Sequence, residues 1–357
     1  MNIMKGKFNI ARVMIELDDA TKEQIQGFLN DERFVGAPIA IMPDAHKGMG
    51  SCIGFTMPVG MCILPEIIGV DIGCGVQARN YGNIDVDLVE FDKHVRNVVP
   101  MGFNIHDTPI ADYSGHIPYF VDHDRALRSI GTLGGGNHFI EAGRDKDNNF
   151  WVTVHTGSRK LGLDVAKHHT DVASMLADKY MMRTPCLPRD TVEFSDYMID
   201  MWNASRYALA NRNAIHNLIG WTMPIEIIDT VHNYIDTNMV IRKGAVDASE
   251  GQILLIPFNM RDGIAICVGK GNAEWNNSAP HGAGRILSRT KAKDSLSVDA
   301  FVDTMKNAGV YTTTANAATL DEAPDAYKDK ECIIKAIEPT VDIINYITPV
   351  YNCKGGN

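Results

Sequence analysis

The sequence predicts an α+β fold that forms one continuous domain over residues 1–357, and three observations lead to this prediction. Short apolar runs separated by Gly and Pro occupy residues 38–75 and 225–268, as expected of buried strands joined by tight loops. Two long helical regions lie between them, at about residues 161–181 and 194–219. The chain has no internal repeat, no Pro/Ser-rich linker and no sharp change in composition, so a division into several domains is not indicated.

The shorter elements follow from local signals. A capping-box pattern at residues 21–24 precedes apolar residues at helical spacing, which predicts a surface helix that starts there. Residues 150–154 are aromatic and β-branched, and they predict a strand that ends at His155. A further helix is expected after Tyr327, and a strand is expected near Val350.

Composition limits the classes of function. The seven cysteines include no Cys-x-x-Cys pair, so neither a disulfide framework nor a zinc knuckle is indicated. The first twenty residues lack an apolar signal core, and we expect a cytoplasmic protein with no membrane partner. A net charge of −10 argues against a non-specific nucleic-acid coat protein, but a local basic cluster such as residues 285–293 could still bind phosphates.

Residues 69–75 place a carboxylate and a thiol three residues apart between glycines. Asp71 offers a hard oxygen and Cys74 a soft sulfur, and this mixture suits a borderline divalent ion such as Mn²⁺, Fe²⁺ or Zn²⁺. The same pair could instead be a turn-capping Asp beside a buried Cys. Metal binding here therefore requires ligands from elsewhere in the chain.

Four histidines lie beside glycine-rich or strand-terminal sequence rather than on amphipathic helices: His138, His155, His232 and His281. Ligands and catalytic groups are commonly held on such loops. Together with Asp71 and Cys74, these histidines provide more ligands than one tetrahedral ion can bind. Two ions that share the Cys74 thiolate would use Asp71, Cys74 and three of the imidazoles. The alternative is that several of these histidines only bond to backbone carbonyls.

Two glycine-rich segments, residues 134–137 and 282–285, can form phosphate-binding nests of backbone amides. Neither segment is a Walker A loop, and no strand-linked Gly-x-Gly-x-x-Gly occurs, so ordinary P-loop and Rossmann chemistry is disfavoured. His281 directly precedes the second nest. Because neutral imidazole is nucleophilic near pH 7, this histidine is suited to attack phosphorus.

In type and order, these motifs resemble those of the RtcB-type RNA-splicing ligases, which join RNA ends with GTP and Mn²⁺. The resemblance rests on the following segments, in chain order: residues 42–48, 69–75, 134–141, 155–159, 232–234, 242–245, 281–285, 288–289, 326–329 and 353–355. It implies an α+β catalytic domain in which β-sheets surround a central metal and GTP cleft and helices flank them.

The resemblance also implies a ligand set. Two Mn²⁺ ions would share the Cys74 thiolate. Asp71 and His138 would complete the binding of one ion, and His155 and His232 would complete the binding of the other.

The resemblance further implies that His281 attacks the α-phosphate of GTP, forms a GMP-histidine and passes GMP to an RNA 3′-phosphate, which a 5′-hydroxyl then attacks. A 2′,3′-cyclic phosphate would first be opened by hydrolysis. The implied GTP-binding residues are Asn137, Glu141, His281, Gly282, Ala283, Gly284, Tyr327 and Lys354. Arg159 and Arg289 would contact RNA phosphates, and an archease-like activator is a further partner that the resemblance suggests.

Two other functions remain open at this point. A binuclear metal phosphoesterase that acts on cyclic phosphate ends without ligation would need only the metal ligands. An RNA-end-binding protein that has lost catalysis is the other possibility. Only the ligase requires His281, its glycine-rich nest and a guanine pocket. Two segments also depart from the family pattern, Ala279-Pro280 before His281 and Phe258-Asn259, and both bear on GTP affinity.

Overall fold

A computed structural model describes residues 2–182, 184–220 and 223–355 of the protein. Helices and sheets both contribute to it, which confirms the predicted α+β class. The α-helices of the described residues are α1 (Asp19–Leu29), α2 (Pro65–Ile68), α3 (Leu88–Val98), α4 (His123–Ser129), α5 (Arg159–Lys179), α6 (Val192–Ile219), α7 (Arg289–Ser295), α8 (Val298–Asn307) and α9 (Lys330–Ile337). Short 3₁₀ helices occupy Glu32–Phe34, Ala273–Trp275, Ala317–Glu322 and Pro324–Ala326.

The strands of the same residues form two large sheets and two short ladders. The seven-stranded sheet has the spatial order β10 (Glu226–Val231), β6 (Gly75–Asn80), β8 (Phe150–Thr156), β7 (Phe139–Arg144), β17 (Val341–Lys354), β15 (Ile264–Gly269) and β14 (Ile253–Pro257). The six-stranded sheet has the order β1 (Asn2–Lys5), β2 (Ile10–Val13), β3 (Ile39–Ile41), β4 (Phe55–Pro58), β12 (Val240–Lys243) and β11 (Asn233–Ile235). The ladders pair β13 (Ala245–Asp247) with β16 (Ser278–Pro280), and β5 (Cys62–Ile63) with β9 (Leu187–Pro188).

The two long helices α5 and α6 occur where the sequence predicts them, and the predicted elements near Tyr327 and Val350 are α9 and β17. The predicted start of the first helix is wrong. Helix α1 begins at Asp19 because Asp18 is its N-cap: the Asp18 carboxylate accepts hydrogen bonds from the backbone N–H and the hydroxyl of Thr21. The capping position therefore lies three residues before the residue that the pattern selects.

Helix α6 links the two sheets. It packs against α5 and β11 on one side and against β6 and β8 of the seven-stranded sheet on the other. Its buried residues include Met201, Ala204 and Tyr207, which belong to the largest apolar cluster, and Ile215 and Ile219, which belong to the cluster against the seven-stranded sheet. The helix therefore supports the strand ends that carry the candidate site. Among the residues that the structure describes, no helix is both long enough and apolar enough to span a membrane.

Candidate active site

The candidate metal ligands lie at one edge of the seven-stranded sheet. Strands β10, β6, β8 and β7 are antiparallel neighbours in the sheet. Because of their register, β6 and β7 begin at this edge, and β10 and β8 end there. Four candidate ligands occupy these positions: Cys74 just before β6, His138 just before β7, His155 near the end of β8 and His232 just after β10. Sheet register therefore brings together residues that are far apart in sequence.

The distances within this group are short. Sγ of Cys74 lies 3.3 Å from Nε2 of His155 and 3.6 Å from Nε2 of His138. Nε2 of His155 lies 3.3 Å from Nε2 of His232, and Nε2 of His138 lies 3.0 Å from Oδ2 of Asp71. The five side chains form two groups of three possible metal ligands, and the groups share the Cys74 sulfur.

The hydrogen bonds of His138 test whether a cation fits here. Its Nδ1 lies 2.9 Å from the carbonyl oxygen of Leu133, which can only accept, so Nδ1 carries the proton and donates it. In the neutral ring Nε2 then has a lone pair, and this lone pair faces the Asp71 carboxylate. Two electron-rich atoms at this distance require a proton or a metal ion between them. The pair therefore fits a cation site.

The pKa shifts of the other three candidate ligands also fit a cation site. Burial lowers the pKa of both His155 and His232 well below the usual value, so these imidazoles are neutral and can donate lone pairs. Burial also raises the pKa of the Cys74 thiol, and the nearby Asp71 carboxylate adds to the rise. A thiolate in this position needs a positive charge beside it, which a divalent ion supplies.

The turn that carries Asp71 and Cys74 rests on helix α6. Gly73 has φ +71°, and a Cβ atom at this position would lie 2.5 Å from Cα of Ser205, so only glycine fits. Buried Arg212 donates from Nη1 to the carbonyl oxygens of Gly73 and Thr156, at 3.1 and 3.2 Å. Its Nε and Nη2 bind the Asp229 carboxylate at 2.7 and 2.9 Å. One guanidinium thus holds the turn against the end of β8.

A cavity of about 280 Å³ adjoins the ligand group, and we call it the His281 cavity. Its walls include His155, Arg285 and Arg289. They also include every residue for which the family resemblance implies GTP binding: Asn137, Glu141, His281, Gly282, Ala283, Gly284, Tyr327 and Lys354. The structure brings these residues together, and their contact with GTP stays a prediction.

The histidine that names this cavity is held by a carboxylate. Oδ2 of Asp44, a fully buried residue, lies 2.5 Å from Nδ1 of His281 and accepts from the His281 backbone N–H at 3.2 Å. The carbonyl oxygen of Gly244 lies 2.9 Å from the same Nδ1. Because both neighbours accept, Nδ1 carries the proton and Nε2 keeps the lone pair. Sequence reasoning assigned no role to Asp44, although a nucleophilic imidazole needs such an acceptor.

Glu322 is a second residue that sequence reasoning missed. It is buried, and its Oε2 accepts from the Tyr327 hydroxyl at 2.6 Å and lies 3.2 Å from Nζ of Lys354. Its Oε1 accepts from Nη1 of Arg285 at 3.1 Å. Burial opposes ionisation, but Lys354, Arg289 and Arg285 outweigh it and hold the pKa of this carboxyl below its usual value. Glu322 therefore anchors the tyrosine and the lysine of the cavity wall, and it lies outside the motifs quoted above.

The pKa of the Glu141 carboxyl is shifted in the opposite direction from that of Glu322. Burial raises the pKa of its carboxyl to about 8, which outweighs the hydrogen bond from Asn352 and the charge of Lys354. Nδ2 of Asn352 donates to Oε2 at 2.8 Å, whereas Oε1 has no hydrogen-bond partner among the described residues. Glu141 therefore favours the neutral form at pH 7, and a ligand with two adjacent N–H donors would favour its ionised form.

Arg159 and Arg289, the two predicted RNA contacts, lie beside different glycines of the glycine-rich loop 134–136. A Cβ atom on Gly134 would lie 1.7 Å from Nη1 of Arg159, and one on Gly136 would lie 3.2 Å from Nη1 of Arg289. Arg289 lines the His281 cavity. Arg159 lines a separate cavity of about 440 Å³, which we call the Arg159 cavity and whose wall includes Asp71 and His138.

The two departures from the family pattern have different surroundings. Ala279 and Pro280 belong to strand β16 and are buried in its ladder with β13. Phe258 and Asn259 instead line the His281 cavity directly. Of the two segments, residues 258–259 therefore have the more direct influence on what this cavity binds.

Comparisons with known proteins show the family to which the chain belongs. The family model described as tRNA-splicing ligase RtcB matches residues 29–116 and 119–355. The RNA-splicing ligase RtcB of Escherichia coli strain K12 is 32% identical over 379 residues, which cover 90% of this chain and 91% of the relative. The tRNA-splicing ligase RtcB of Archaeoglobus fulgidus is 26% identical, with 92% and 90% covered, and that of Thermococcus kodakarensis is 26% identical, with 88% and 87% covered. The chain belongs to the RtcB family.

Proposed function

We propose that this protein is a GTP-dependent RNA ligase that joins 3′-phosphate or 2′,3′-cyclic phosphate ends to 5′-hydroxyl ends, in RNA repair or tRNA splicing. The observation that carries the proposal is the Asp44–His281 pair, because it sets the tautomer of an imidazole that lines a cavity of about 280 Å³ next to the candidate metal ligands. The names of the relatives and the family match support the same reaction class.

We assign two metal ions to the two ligand groups, with Asp71, Cys74 and His138 for one and Cys74, His155 and His232 for the other. The mixture of thiolate, carboxylate and imidazole suits a borderline divalent ion such as Mn²⁺, Fe²⁺ or Zn²⁺, and the family resemblance implies Mn²⁺. When bound, such ions would supply charge neutralisation and alignment for phosphate groups.

In the first step, Nε2 of His281 attacks the α-phosphorus of GTP. A P–N bond forms, the bond to the bridging oxygen of the β-phosphate breaks, and pyrophosphate leaves with the electron pair. The imidazole ring becomes positively charged, and the Asp44 carboxylate at Nδ1 stabilises that charge. The backbone amides of residues 282–284 and the side chain of Asn137 hold the phosphates.

In the second step, a terminal oxygen of the RNA 3′-phosphate attacks the phosphorus of the GMP-histidine. The P–N bond breaks, and neutral His281 is restored with its proton still on Nδ1. In the third step, the RNA 5′-hydroxyl attacks the activated 3′-phosphate, its proton passes to solvent, and GMP leaves. The RNA ends are the substrates, and an archease-like activator remains a predicted partner.

Glu141, Tyr327 and Lys354 form the proposed guanine pocket. Oε1 of Glu141 has no hydrogen-bond partner in the described part of the chain, and it can accept from guanine when the carboxyl ionises. Guanine presents adjacent N1–H and N2–H donors, whereas adenine presents an acceptor at N1. The pocket is therefore proposed to select GTP over ATP.

A metal phosphoesterase on the same scaffold is the weaker candidate. It would use the metal ligands, but it gives no reason for the Asp44–His281 pair or for the hydrogen bonds by which Glu322 anchors Tyr327 and Lys354. A binding protein without catalysis accounts for even less of the arrangement. Both alternatives predict that the protein never carries a covalent nucleotide.

Incubation with GTP labelled at the α-phosphate, together with Mn²⁺, tests the proposal. We expect label on the protein that is acid-labile and alkali-stable, as a phosphoramidate is, and that is absent from His281→Ala. His116→Ala, at an exposed histidine away from the His281 cavity, is the matched control and should label normally. Hydrolysis of RNA cyclic phosphate by a protein that takes up no label would instead identify a phosphoesterase.

A further inference from the structure

Two cysteines that the proposed function does not use lie on one short ladder of strands. Cys62 is the first residue of β5, and Cys186 directly precedes β9, the antiparallel partner of β5. The register places Cys62 opposite Pro188. Because side chains alternate between the two faces of a strand, Cys186 projects to the same side as Pro188 and therefore toward Cys62.

The two thiols are close enough to change each other's ionisation. A hydrogen bond in which Cys62 donates and Cys186 accepts raises the pKa of the Cys62 thiol and lowers that of the Cys186 thiol. Both side chains belong to the largest apolar cluster. Cys62 is 4% exposed and Cys186 is 5% exposed, so a molecule little larger than water can reach the pair and a bulky one cannot.

A fixed guanidinium makes Cys186 the more reactive of the two thiols. Nη1 of Arg33 lies 3.5 Å from the carbonyl oxygens of Thr184 and Pro185, which directly precede this cysteine. Nε of Arg33 donates to Oδ1 of Asp31 at 2.9 Å, which holds the group in place. Burial opposes ionisation of Cys186, but the Arg33 charge adds to the effect of Cys62 and keeps the pKa of the Cys186 thiol below its usual value.

A bond between these cysteines would close residues 62–186 into one covalent loop. Strand β5 leads into α2 and the turn of residues 69–75, and β9 leads into α6, on which that turn rests. Within the part of the chain that the structure describes, neither cysteine belongs to a candidate ligand group or lines the His281 cavity. The closed loop would nevertheless contain four of the five candidate metal ligands: Asp71, Cys74, His138 and His155.

We propose that Cys62 and Cys186 form a reversible disulfide when the protein meets hydrogen peroxide, and that this bond stabilises the part of the chain that carries the metal ligands. A dithiol in which a neighbouring cation favours one thiolate, and in which the second thiol lies in contact with the first, is the arrangement that such a reaction needs. This inference goes beyond the proposed ligase function and does not depend on it.

The reaction has two steps. The Cys186 thiolate attacks one oxygen of the peroxide, an S–O bond forms, the O–O bond breaks, and hydroxide leaves. The Cys62 thiol gives its proton to that hydroxide, and its sulfur attacks the sulfenic acid on Cys186. An S–S bond forms, the S–O bond breaks and a second hydroxide leaves, so both sulfurs are oxidised and the peroxide is reduced. A dithiol reductant such as dithiothreitol reverses the bond by thiol–disulfide exchange.

Peptide mass spectrometry of the full-length wild-type protein tests the inference. The protein is treated with hydrogen peroxide, its remaining thiols are alkylated under denaturing conditions, and it is digested without reduction. We expect a cross-linked peptide pair that joins Cys62 to Cys186, lighter than the separate peptides by the two thiol hydrogens and absent after dithiothreitol. Alkylation of both cysteines in the oxidised sample, or cross-links that join either one only to other cysteines, would overturn the inference.

Variants test the order of the steps. Cys62→Ala should leave a sulfenic acid on Cys186 that a dimedone probe traps, whereas Cys186→Ala should leave Cys62 unreacted. Arg33→Gln should slow formation of the cross-link by about tenfold near neutral pH, because less of the Cys186 thiol is ionised. Arg189→Gln, at an exposed arginine next to β9, is the matched control and should react at the wild-type rate. Trapping at Cys62 instead of Cys186 would refute the proposed sequence.

Thermal unfolding measures the effect on the fold. Oxidised wild-type protein should have a Tm about 5 °C above that of the reduced protein, the order expected when a bond closes a long loop, and reduction should reverse the rise. Peroxide-treated Cys62→Ala should show no rise. Cys332→Ala removes an exposed cysteine and should keep the rise. A cross-linked protein whose Tm equals that of the reduced form would refute the stabilising role.

Discussion

The carboxylate of Asp44 lies 2.5 Å from Nδ1 of His281, across a separation of 237 residues in the chain. The segment after β3 carries the aspartate, and the segment after β16 carries the histidine. Their contact fixes which ring nitrogen holds the proton. The reactivity proposed for His281 thus depends on an acceptor from a distant part of the sequence.

Asp44→Asn should slow formation of the GMP-histidine by about 100-fold, the order typical of losing a positioned acid–base partner. The isosteric amide keeps the shape of the site but cannot neutralise the charged ring. GTP affinity should stay within a few-fold of wild type, because Asp44 does not line the cavity. Single-turnover labelling over a range of GTP concentrations separates the two effects, and a change confined to affinity would contradict this role.

Cys74→Ala should abolish binding of both metal ions, since the Cys74 sulfur belongs to both ligand groups. Elemental analysis after dialysis against Mn²⁺ measures the stoichiometry, which should fall from two ions to none. Cys267→Ala removes another buried thiol, far from the ligand group, and should leave two ions bound. Retention of even one tightly bound ion by Cys74→Ala would argue against a shared sulfur.

Gly157→Ala should disturb one ion specifically. A Cβ atom at this position would lie 2.0 Å from Oδ1 of Asp71, so the carboxylate must move. We expect the affinity for one of two Mn²⁺ ions to fall by about 10- to 100-fold, as for other changes that misalign a ligand. Metal titration measures this, and Gly27→Ala, where a Cβ atom meets nothing within 4 Å, is the control. Equal weakening of both ions would not fit the assignment of Asp71 to one.

Glu141 makes GTP affinity depend on pH. Burial raises its pKa to about 8, and the proposed guanine contact requires the ionised form, so a proton is released when GTP binds. Affinity should therefore rise on the order of tenfold between pH 6.5 and 8.5 and level off above the pKa. Titration with a fluorescent GTP analogue measures the profile. Glu141→Gln should bind the GTP analogue weakly, and its affinity should not rise with pH. If the affinity of this variant still rises with pH, a group other than Glu141 causes the pH dependence.

Arg212→Met should destabilise the fold by about 3 kcal/mol, because it leaves the Asp229 carboxylate without its cationic partner and removes donors from two buried carbonyls. Urea unfolding of the metal-free protein measures the loss. Lys93→Met removes an exposed ion pair with Glu90 and should change stability little. The double variant Arg212→Met/Asp229→Leu should recover part of the loss. Full stability of the single variant would show that Arg212 does not hold the turn.

The grouping of the candidate ligands, and the place of His281 in the adjoining cavity, could be anticipated from sequence because each residue lies in a compact local motif. Cys74, His138, His155 and His232 also precede or end strands, and a register that aligns those strand ends brings them together. Long amphipathic segments such as α5 and α6 were predictable for the same reason, since their pattern repeats over many turns.

Other features depend on contacts that no local pattern records. Glu322 lies in a short 3₁₀ helix, and its role appears only where Tyr327 and Lys354 converge on it. Arg159 and Arg289 look equivalent in sequence, yet they line different cavities of the folded chain. The first strand was missed because its side chains are mostly exposed, so it has no apolar alternation to detect.

The glycine-rich loop 134–136 also bears on the order in which ligands arrive. With Arg159 beside Gly134 and Arg289 beside Gly136, the loop lies next to two cavities that share no lining residue. In the proposed reaction, an RNA end that contacts Arg159 can therefore dock before or after GTP. A contact with Arg289, in contrast, lies in the cavity proposed for GTP, so this part of the RNA and the nucleotide must share one space.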